Sequence, residues 1–383
     1  MARFLLGVNY WPRSSAMAMW SRFDLGEIDE DFARIAALGL DVVRFFLLWE
    51  AFSPAAHEID AVALRRFVEV LDRAHAHGLR TMPTLFCGHM SGVNWLPAWT
   101  LDPATPAGRF RTIAGGNVSP YGIGDFYSGD LLEAQRTFAR AVGERAREHA
   151  SILAWDLGNE FSNLRAPRTP QDAAHWSAAL THDLFVTSNL GVTGGTHGED
   201  LSEDRQIRLS SLAEPWRFAT MHGYPAYSDF ARGLGDPEVV PFLHEMAAAF
   251  ARKRVLFSEF GTPASALDDD VAAVYAREVL LRLQQRGALG AFWWCWTDYA
   301  PELATSPPFD RAPHELRFGV LRADGTERPV AAALAEFARE RRSVIELPAP
   351  AIDEKAYYAG LPASLREAYA AYCRRYDREG TQS

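Results

Sequence analysis

Cysteine is scarce in this chain: three occur among 383 residues, Cys87, Cys295 and Cys373. An odd number at wide spacing excludes a disulfide framework and fits a reducing compartment, with burial as the expected role of each. Metal motifs are missing too. There is no Cys-x-x-Cys, no His-Glu-x-x-His and no Cys/His cluster, so no metal is expected. Tyr121-Gly122-Ile123-Gly124-Asp125 does not follow a strand and open a helix, and Ser258 lacks the nucleophile-elbow glycines, so no dinucleotide cofactor or serine nucleophile is expected either. No apolar run approaches the ~20 residues of a membrane span. The short apolar opening, which leads into Val8-Asn9-Tyr10-Trp11, has no small-residue cleavage site and reads as a first strand, so a cytoplasmic protein is expected. A basic excess is also lacking. The formal net charge of −10 argues against nucleic acid or anionic membrane as a partner, and the interspersed charges read as solvated helix faces.

What is present is an alternation of short apolar runs with amphipathic segments, the signature of parallel β/α architecture. Eight strands are predicted: Phe4–Trp11, Asp41–Trp49, Leu79–Phe86, Ile152–Asn159, Leu190–Thr196, Phe218–Gly223, Val255–Glu259 and Ala288–Trp296. Several are apolar nearly throughout, as in strands buried on both faces. Between them, Leu64, Phe67, Val68 and Leu71 fall on one helical face, Phe32, Ile35 and Ala36 on another, and Val274, Val279, Leu280 and Leu283 mark a third. Gly39, Gly78 and Gly287 each follow a helix and precede a strand. Eight such units make a (β/α)8 TIM barrel over residues 1–342, with long loops after the third strand (Cys87–Gly129) and the eighth (Thr297–Pro329). Residues 343–383 read as a C-terminal helical extension packing outside the barrel, or as a free tail.

Two carboxylates stand out. Trp155-Asp156-Leu157-Gly158-Asn159-Glu160 ends a buried strand on an Asn-Glu pair, and Leu256-Phe257-Ser258-Glu259 ends another on a glutamate. The C-terminal ends of parallel strands are where barrel enzymes place catalytic groups. Strands four and seven lie across the barrel, so both side chains can face one sugar ring, as glycoside hydrolysis requires. Each residue also has a plainer reading. An Asn-Glu can cap a helix, a buried Arg44 can pair with a structural acid, and His89 can simply pack in its loop. Eleven tryptophans are present. Trp11, Trp49, Trp95, Trp99 and Trp296 sit at or beyond strand ends and are candidate platforms for the apolar faces of sugars, whereas Trp155, Trp176 and Trp293 read as core. Alternation puts Phe292, Trp294 and Trp296 on one face.

In these features the chain resembles the clan A glycoside hydrolases, above all the family 5 cellulase and mannanase type. There an Asn-Glu ending strand four supplies the acid/base and a Glu ending strand seven the nucleophile. Asn159, Glu160 and Glu259 match, and 259 − 160 = 99 residues suits three intervening β/α units. The likeness covers the whole barrel. It extends to Arg44, similar to the family's arginine near the nucleophile, to His222-Gly223-Tyr224, similar to its His-x-Tyr, and to His89 and Trp296 as subsite residues. The opening Gly7-Val8-Asn9-Tyr10-Trp11-Pro12 is similar to β-galactosidases of the same clan.

The resemblance implies a retaining β-glycosidase without cofactor, acting on a small β-mannoside, β-glucoside or β-galactoside. Exo action is favoured over an endo-acting mannanase or glucanase. A transglycosidase and a non-catalytic carbohydrate-binding barrel are the other readings, the last disfavoured because both glutamates are intact. Glu259 is expected to attack the anomeric carbon and Glu160 to protonate the leaving oxygen, with its pKa raised by the Glu259 charge. Arg44 and Tyr224 are expected to orient Glu259, Asn159 to bond the sugar 2-hydroxyl, and His222 to support Glu160 or the sugar.

Overall fold

The computed structural model describes residues 3–380. The outermost ends of the two expected ranges, residues 1–2 and 381–383, lie outside the described residues. Eight parallel strands form a single sheet: β1 (Leu5–Tyr10), β2 (Val42–Leu48), β3 (Arg80–Cys87), β4 (Trp155–Asn159), β5 (Val192–Gly195), β6 (Ala219–His222), β7 (Val255–Phe260) and β8 (Gly290–Trp293). Each pairs with its sequence neighbours, except that β5 and β6, which end the strand order, do not pair with each other, and β1 also pairs with β8. The seam between β5 and β6 is closed by fewer bonds: Arg217 N–H to Val192 O (2.8 Å), His222 N–H to Thr196 O (2.9 Å) and the Thr193 hydroxyl to Phe218 O (2.8 Å). The result is the (β/α)8 barrel that the alternation predicts. Every predicted strand is found, most of them a residue or more shorter at each end.

Helices α1 (Leu25–Ala37), α2 (Ala61–Ala76), α3 (Gly129–Arg145), α4 (Pro170–Ser188), α5 (Leu209–Leu212), α6 (Val239–Ala251), α7 (Asp269–Gln285) and α8 (Pro329–Arg339) wrap the outside. Their starts follow local chemistry. Asp24 accepts from two free amides of α1, Asp60 does so for α2, and Thr169 and Asp172 form a capping box on α4. Gly39, Gly78 and Gly287 stop helices at φ of +83°, +73° and +81°, where other residues are strained. On β2, Val42 joins a small apolar cluster with Met82, Leu256 and Phe292 that plugs the barrel, while Phe45 turns outward onto Phe67 of α2. Val274, expected on the buried face of α7, is exposed.

Two excursions shape the mouth. The loop after β3 folds into short strands of its own, four of them in one small sheet and two in another. The chain after α8 ends in α9 (Glu354–Ala359) and α10 (Ala363–Gly380), which pack on the barrel. The hydroxyls of Tyr357 and Tyr358 donate to the carbonyls of Leu201 and Asp200 (2.9 and 2.8 Å), and those of Tyr369 and Tyr372 to Asp236 and Glu238 (2.6 and 2.9 Å).

Candidate active site

The floor of the site is Arg44 on β2, which has no accessible surface. Four of its five N–H donors make hydrogen bonds, and the fifth lies against Asp156 as an ion-pair contact. Nε and Nη2 reach Asp156 Oδ2 (2.9 and 2.7 Å), Nη1 reaches Asn9 Oδ1 (3.0 Å) and Glu259 Oε1 (2.6 Å), and Nη2 reaches Asn159 Oδ1 (2.9 Å). Burial works to lower the Arg44 pKa, but the Asp156 and Glu259 carboxylates outweigh it and raise it. Breaking a buried pair of this kind costs about 3–5 kcal/mol, so the network is rigid as well as charged. Asp156 also accepts from the Thr84 hydroxyl (2.8 Å).

The two glutamates leave the barrel where strand register slips. The β4–β5 pairing shifts between Asp156 and Asn159, and the β6–β7 pairing shifts so that His222 faces Glu259. Such irregularities re-aim side chains at a barrel rim. At the first of them Gly195 sits so close to β4 that a Cβ would lie 1.9 Å from Gly158 O, so only glycine fits. Glu160 then takes a left-handed conformation (φ +48°), a strained state that concentrates at functional sites.

One carboxylate oxygen of Glu160, one of Glu259 and a ring nitrogen of His222 all lie within 4.8 Å of one another. Glu259 Oε2 accepts from the Tyr224 hydroxyl (2.8 Å), whose pKa is pushed up by burial and by the Glu259 and Glu160 charges, so the phenol stays a donor. His222 Nδ1 lies 3.2 Å from Glu160 Oε1 and 3.6 Å from Glu259 Oε1, bridging the pair. These three residues are also within reach of one metal ion, but the Arg44 guanidinium 2.6 Å from Glu259 opposes a cation there.

Three imidazoles surround Glu160: His222, His197 (Nδ1, 3.7 Å from Oε2) and His89 (Nε2, 3.8 Å from Oε2). Burial pushes the Glu160 carboxyl up, yet His197, His222 and His89 outweigh it and hold the carboxyl below the usual carboxylate range. This reverses the expectation that the Glu259 charge dominates and raises it. Burial in turn lowers His89.

The cavity above these groups measures about 590 Å³, within the ~300–1,000 Å³ typical of small-molecule sites. Asn159, Glu160, Glu259, His89, His222 and Tyr224 all line it. Arg44 lies beneath and reaches it only through Glu259 and Asn159. None of the five expected platforms lines it: Trp95 donates from Nε1 to Met90 O (3.3 Å) and Trp99 from Nε1 to Ser53 O (2.9 Å). Trp11 is stacked on Phe46 (5.2 Å), and Trp49 begins a short helix and packs against Phe86, Trp99 and Phe126. Trp296 donates from Nε1 to Asp31 Oδ1 on α1 (2.9 Å). Period-two alternation ends with β8 at Trp293, so Trp294 faces the cavity while Trp296 turns into the helix layer. Asn9, Asp156 and His197 were not singled out from sequence. The signal for the first two is a polar residue inside an otherwise apolar strand, and for His197 a histidine just past the end of one.

No protein-family model matches the chain, and no curated protein does. Solved structures do. The exo-β-1,4-mannosidase of Opitutaceae bacterium strain TAV5 is 27% identical, with a TM-score of 0.77 over 89% of this chain and 60% of that one. This chain therefore spans about three fifths of that enzyme's length. A GH5_18 protein from Streptomyces cattleya, solved in complex with GlcNAc, is 22% identical with a TM-score of 0.84 over 99% and 92%. A GH5_18 variant from the same organism was solved with Manβ1-4GlcNAc. The β-galactosidase of the psychrophilic Marinomonas ef1 is 16% identical, with a TM-score of 0.63 over 88% and 59%. The neighbours are thus of the glycoside hydrolase kind that the sequence resembles, with family 5 and β-galactosidase members both among them.

Proposed function

We propose that this protein is a retaining β-glycosidase that removes single sugars, β-mannosyl units foremost, from the ends of small glycosides. The observation that carries the reading is the approach of the Glu160 and Glu259 carboxylates to within 4.8 Å. Retaining pairs stand about 5–5.5 Å apart and inverting pairs about 6.5–9.5 Å, so this spacing favours double displacement. Glu259, fixed by Arg44 and Tyr224, attacks the anomeric carbon while Glu160 protonates the leaving oxygen. Water then cleaves the glycosyl-enzyme with Glu160 as base. The Asn159 amide spends one N–H on His89 O (2.9 Å) and leaves the other for the sugar 2-hydroxyl. Trp294, rather than Trp296, supplies the platform.

The mannosyl preference rests on the Opitutaceae mannosidase and on the Manβ1-4GlcNAc in the Streptomyces variant. A panel of aryl β-glycosides followed by proton NMR tests it. The expected result is fastest turnover of the β-mannoside, with β-mannose as first product. An α first product, or no turnover of any member, sinks the reading. The same panel with acceptor sugars present separates a hydrolase from a transglycosidase.

End-wise action is supported by the two long loops. Arg111, in the loop after β3, makes a bidentate pair with Asp310, in the loop after β8 (2.8 and 2.6 Å), and Arg109 reaches Glu199 beyond β5 (2.9 Å). A bridged mouth admits a chain end and blocks a threaded polymer. The wild-type enzyme should release only monosaccharide from a β-1,4-linked hexasaccharide. Arg111→Ala should raise activity on that hexasaccharide several-fold relative to an aryl glycoside. Internal fragments from the wild type, or an unchanged ratio in the variant, would count against the bridge.

The cytoplasm is the proposed location. All three cysteines are free and buried, which suits a reducing compartment, and among the described residues no helix is long and apolar enough to cross a membrane.

A further inference from the structure

A general acid must hold a proton, yet the imidazoles around Glu160 draw its carboxyl toward the ionised form. Where the proton resides follows from the hydrogen bonds behind His197. Ser162 has one hydroxyl hydrogen, and it goes to Asp200 Oδ1 (2.6 Å). The Ser162 oxygen, 3.0 Å from His197 Nε2, must therefore accept, so Nε2 keeps its hydrogen in both charge states. The nitrogen free to gain or lose a proton is Nδ1, which faces Glu160 Oε2 at 3.7 Å.

The remaining neighbours do not compete for that role. His89 Nδ1 donates to Asn94 Oδ1 (2.8 Å), which leaves a lone pair on Nε2, and burial favours this neutral form. His222 Nδ1 is committed to Glu160 Oε1 and Glu259 Oε1. Asn163 Nδ2 donates to Glu160 Oε2 (3.2 Å), and Tyr224 to Glu259. Arg205, behind Ser162, is neutralised by Glu199 (2.5 Å) and Glu203 (2.9 Å). Only His197 has a carboxylate on its far side. Asp200 Oδ1 is 3.6 Å from Nε2, and Asp200 Oδ2 accepts from the His197 backbone N–H (3.1 Å). Asp200 is itself buried and gripped through its carbonyl by Tyr358 of α9.

We propose that His197, backed by Ser162 and Asp200, is a positioning residue that stores the catalytic proton on Nδ1 for Glu160. This rests on the glycosidase reading. As the glycosidic bond breaks, the proton passes from Nδ1 to Glu160 Oε2 and from there to the leaving oxygen, leaving a neutral imidazole. In the second step water bonds to the anomeric carbon as the bond to Glu259 breaks. Its proton goes to Oε2 and returns to Nδ1. Catalytic hydrogen bonds that are long in the free enzyme commonly tighten in the complex, which brings 3.7 Å into range.

The test is the pH profile of kcat/KM on an alkyl glycoside, a poor leaving group, for the wild type, H197N and D200N. The alkaline limb belongs to the His197–Glu160 pair as a unit. Removing the store should move that limb to lower pH by roughly 1 unit in H197N, and by less in D200N, which keeps the ring but loses the charge behind it. Formation of the glycosyl-enzyme from a dinitrophenyl glycoside should change little in either. A limb that stays at the wild-type position while rates fall equally at every pH shows a merely structural role and overturns the inference. If H197N fails to fold, D200N decides by the same criterion. Lack of turnover by the wild type would instead sink the glycosidase reading, so the two failures are distinguishable.

Discussion

Glu259→Ala should abolish turnover, by roughly 10⁵–10⁶-fold, while leaving the barrel folded. The size follows from the position of the carboxylate. Glu259 is bound by Arg44 Nη1 at 2.6 Å and by the Tyr224 hydroxyl at 2.8 Å, so it is the carboxylate held in place to form the ester bond. Glu160 is engaged instead by His222, His197 and Asn163, and Asp156 has no accessible surface. The fold should survive because Arg44 keeps Asp156 as its counter-ion, and truncation relieves the closeness of two carboxylates. A single cooperative melting transition, lowered but not lost, alongside lost activity is the expected pair of results. Azide should enter the space left behind and return part of the rate with an activated aryl β-glycoside, giving the α-glycosyl azide. Undiminished activity without azide would mean that another group attacks the sugar.

The barrel was legible because its strands obey a strong rule. Val42-Val43-Arg44-Phe45-Phe46-Leu47-Leu48 is buried at every position, and a run buried on both faces has to be apolar on both. The carboxylates were legible for the converse reason, since a charge that ends such a run has no structural excuse. The small strands between His89 and Ile123 were not. Each is two to six residues long, too short for a period to register, and their pairing is set by contacts with one another. The tryptophans failed differently. Trp49 and Trp296 lie just past the last paired residue of a strand, where the backbone turns and alternation no longer fixes which way a side chain points. His197 escaped because its importance is relational. A histidine after β5 is unremarkable until Ser162 and Asp200 are seen behind it and Glu160 in front.

Glu160→Ala should behave differently from Glu259→Ala, and the difference identifies the acid. Protonation matters in proportion to how poor the leaving group is, because a good one departs without help. Alkyl and sugar aglycones should therefore lose roughly 10²–10⁴-fold, the usual worth of general acid catalysis. A dinitrophenyl glycoside should form the glycosyl-enzyme nearly as fast as in the wild type. Deglycosylation, stripped of its base, then limits the rate, so a burst of phenol should precede slow turnover. The alkaline limb of the pH profile should vanish as well. His197 can still hold a proton in this variant, but with the Glu160 carboxyl gone nothing carries it across to the leaving oxygen. That is what separates the two residues: without the store the limb moves, and without the carrier it disappears. Should the variant slow good and poor leaving groups equally in the first step, or keep its alkaline limb, Glu160 is not the proton donor. The two glutamates would then have to exchange roles, against the grip of Arg44 and Tyr224 on Glu259.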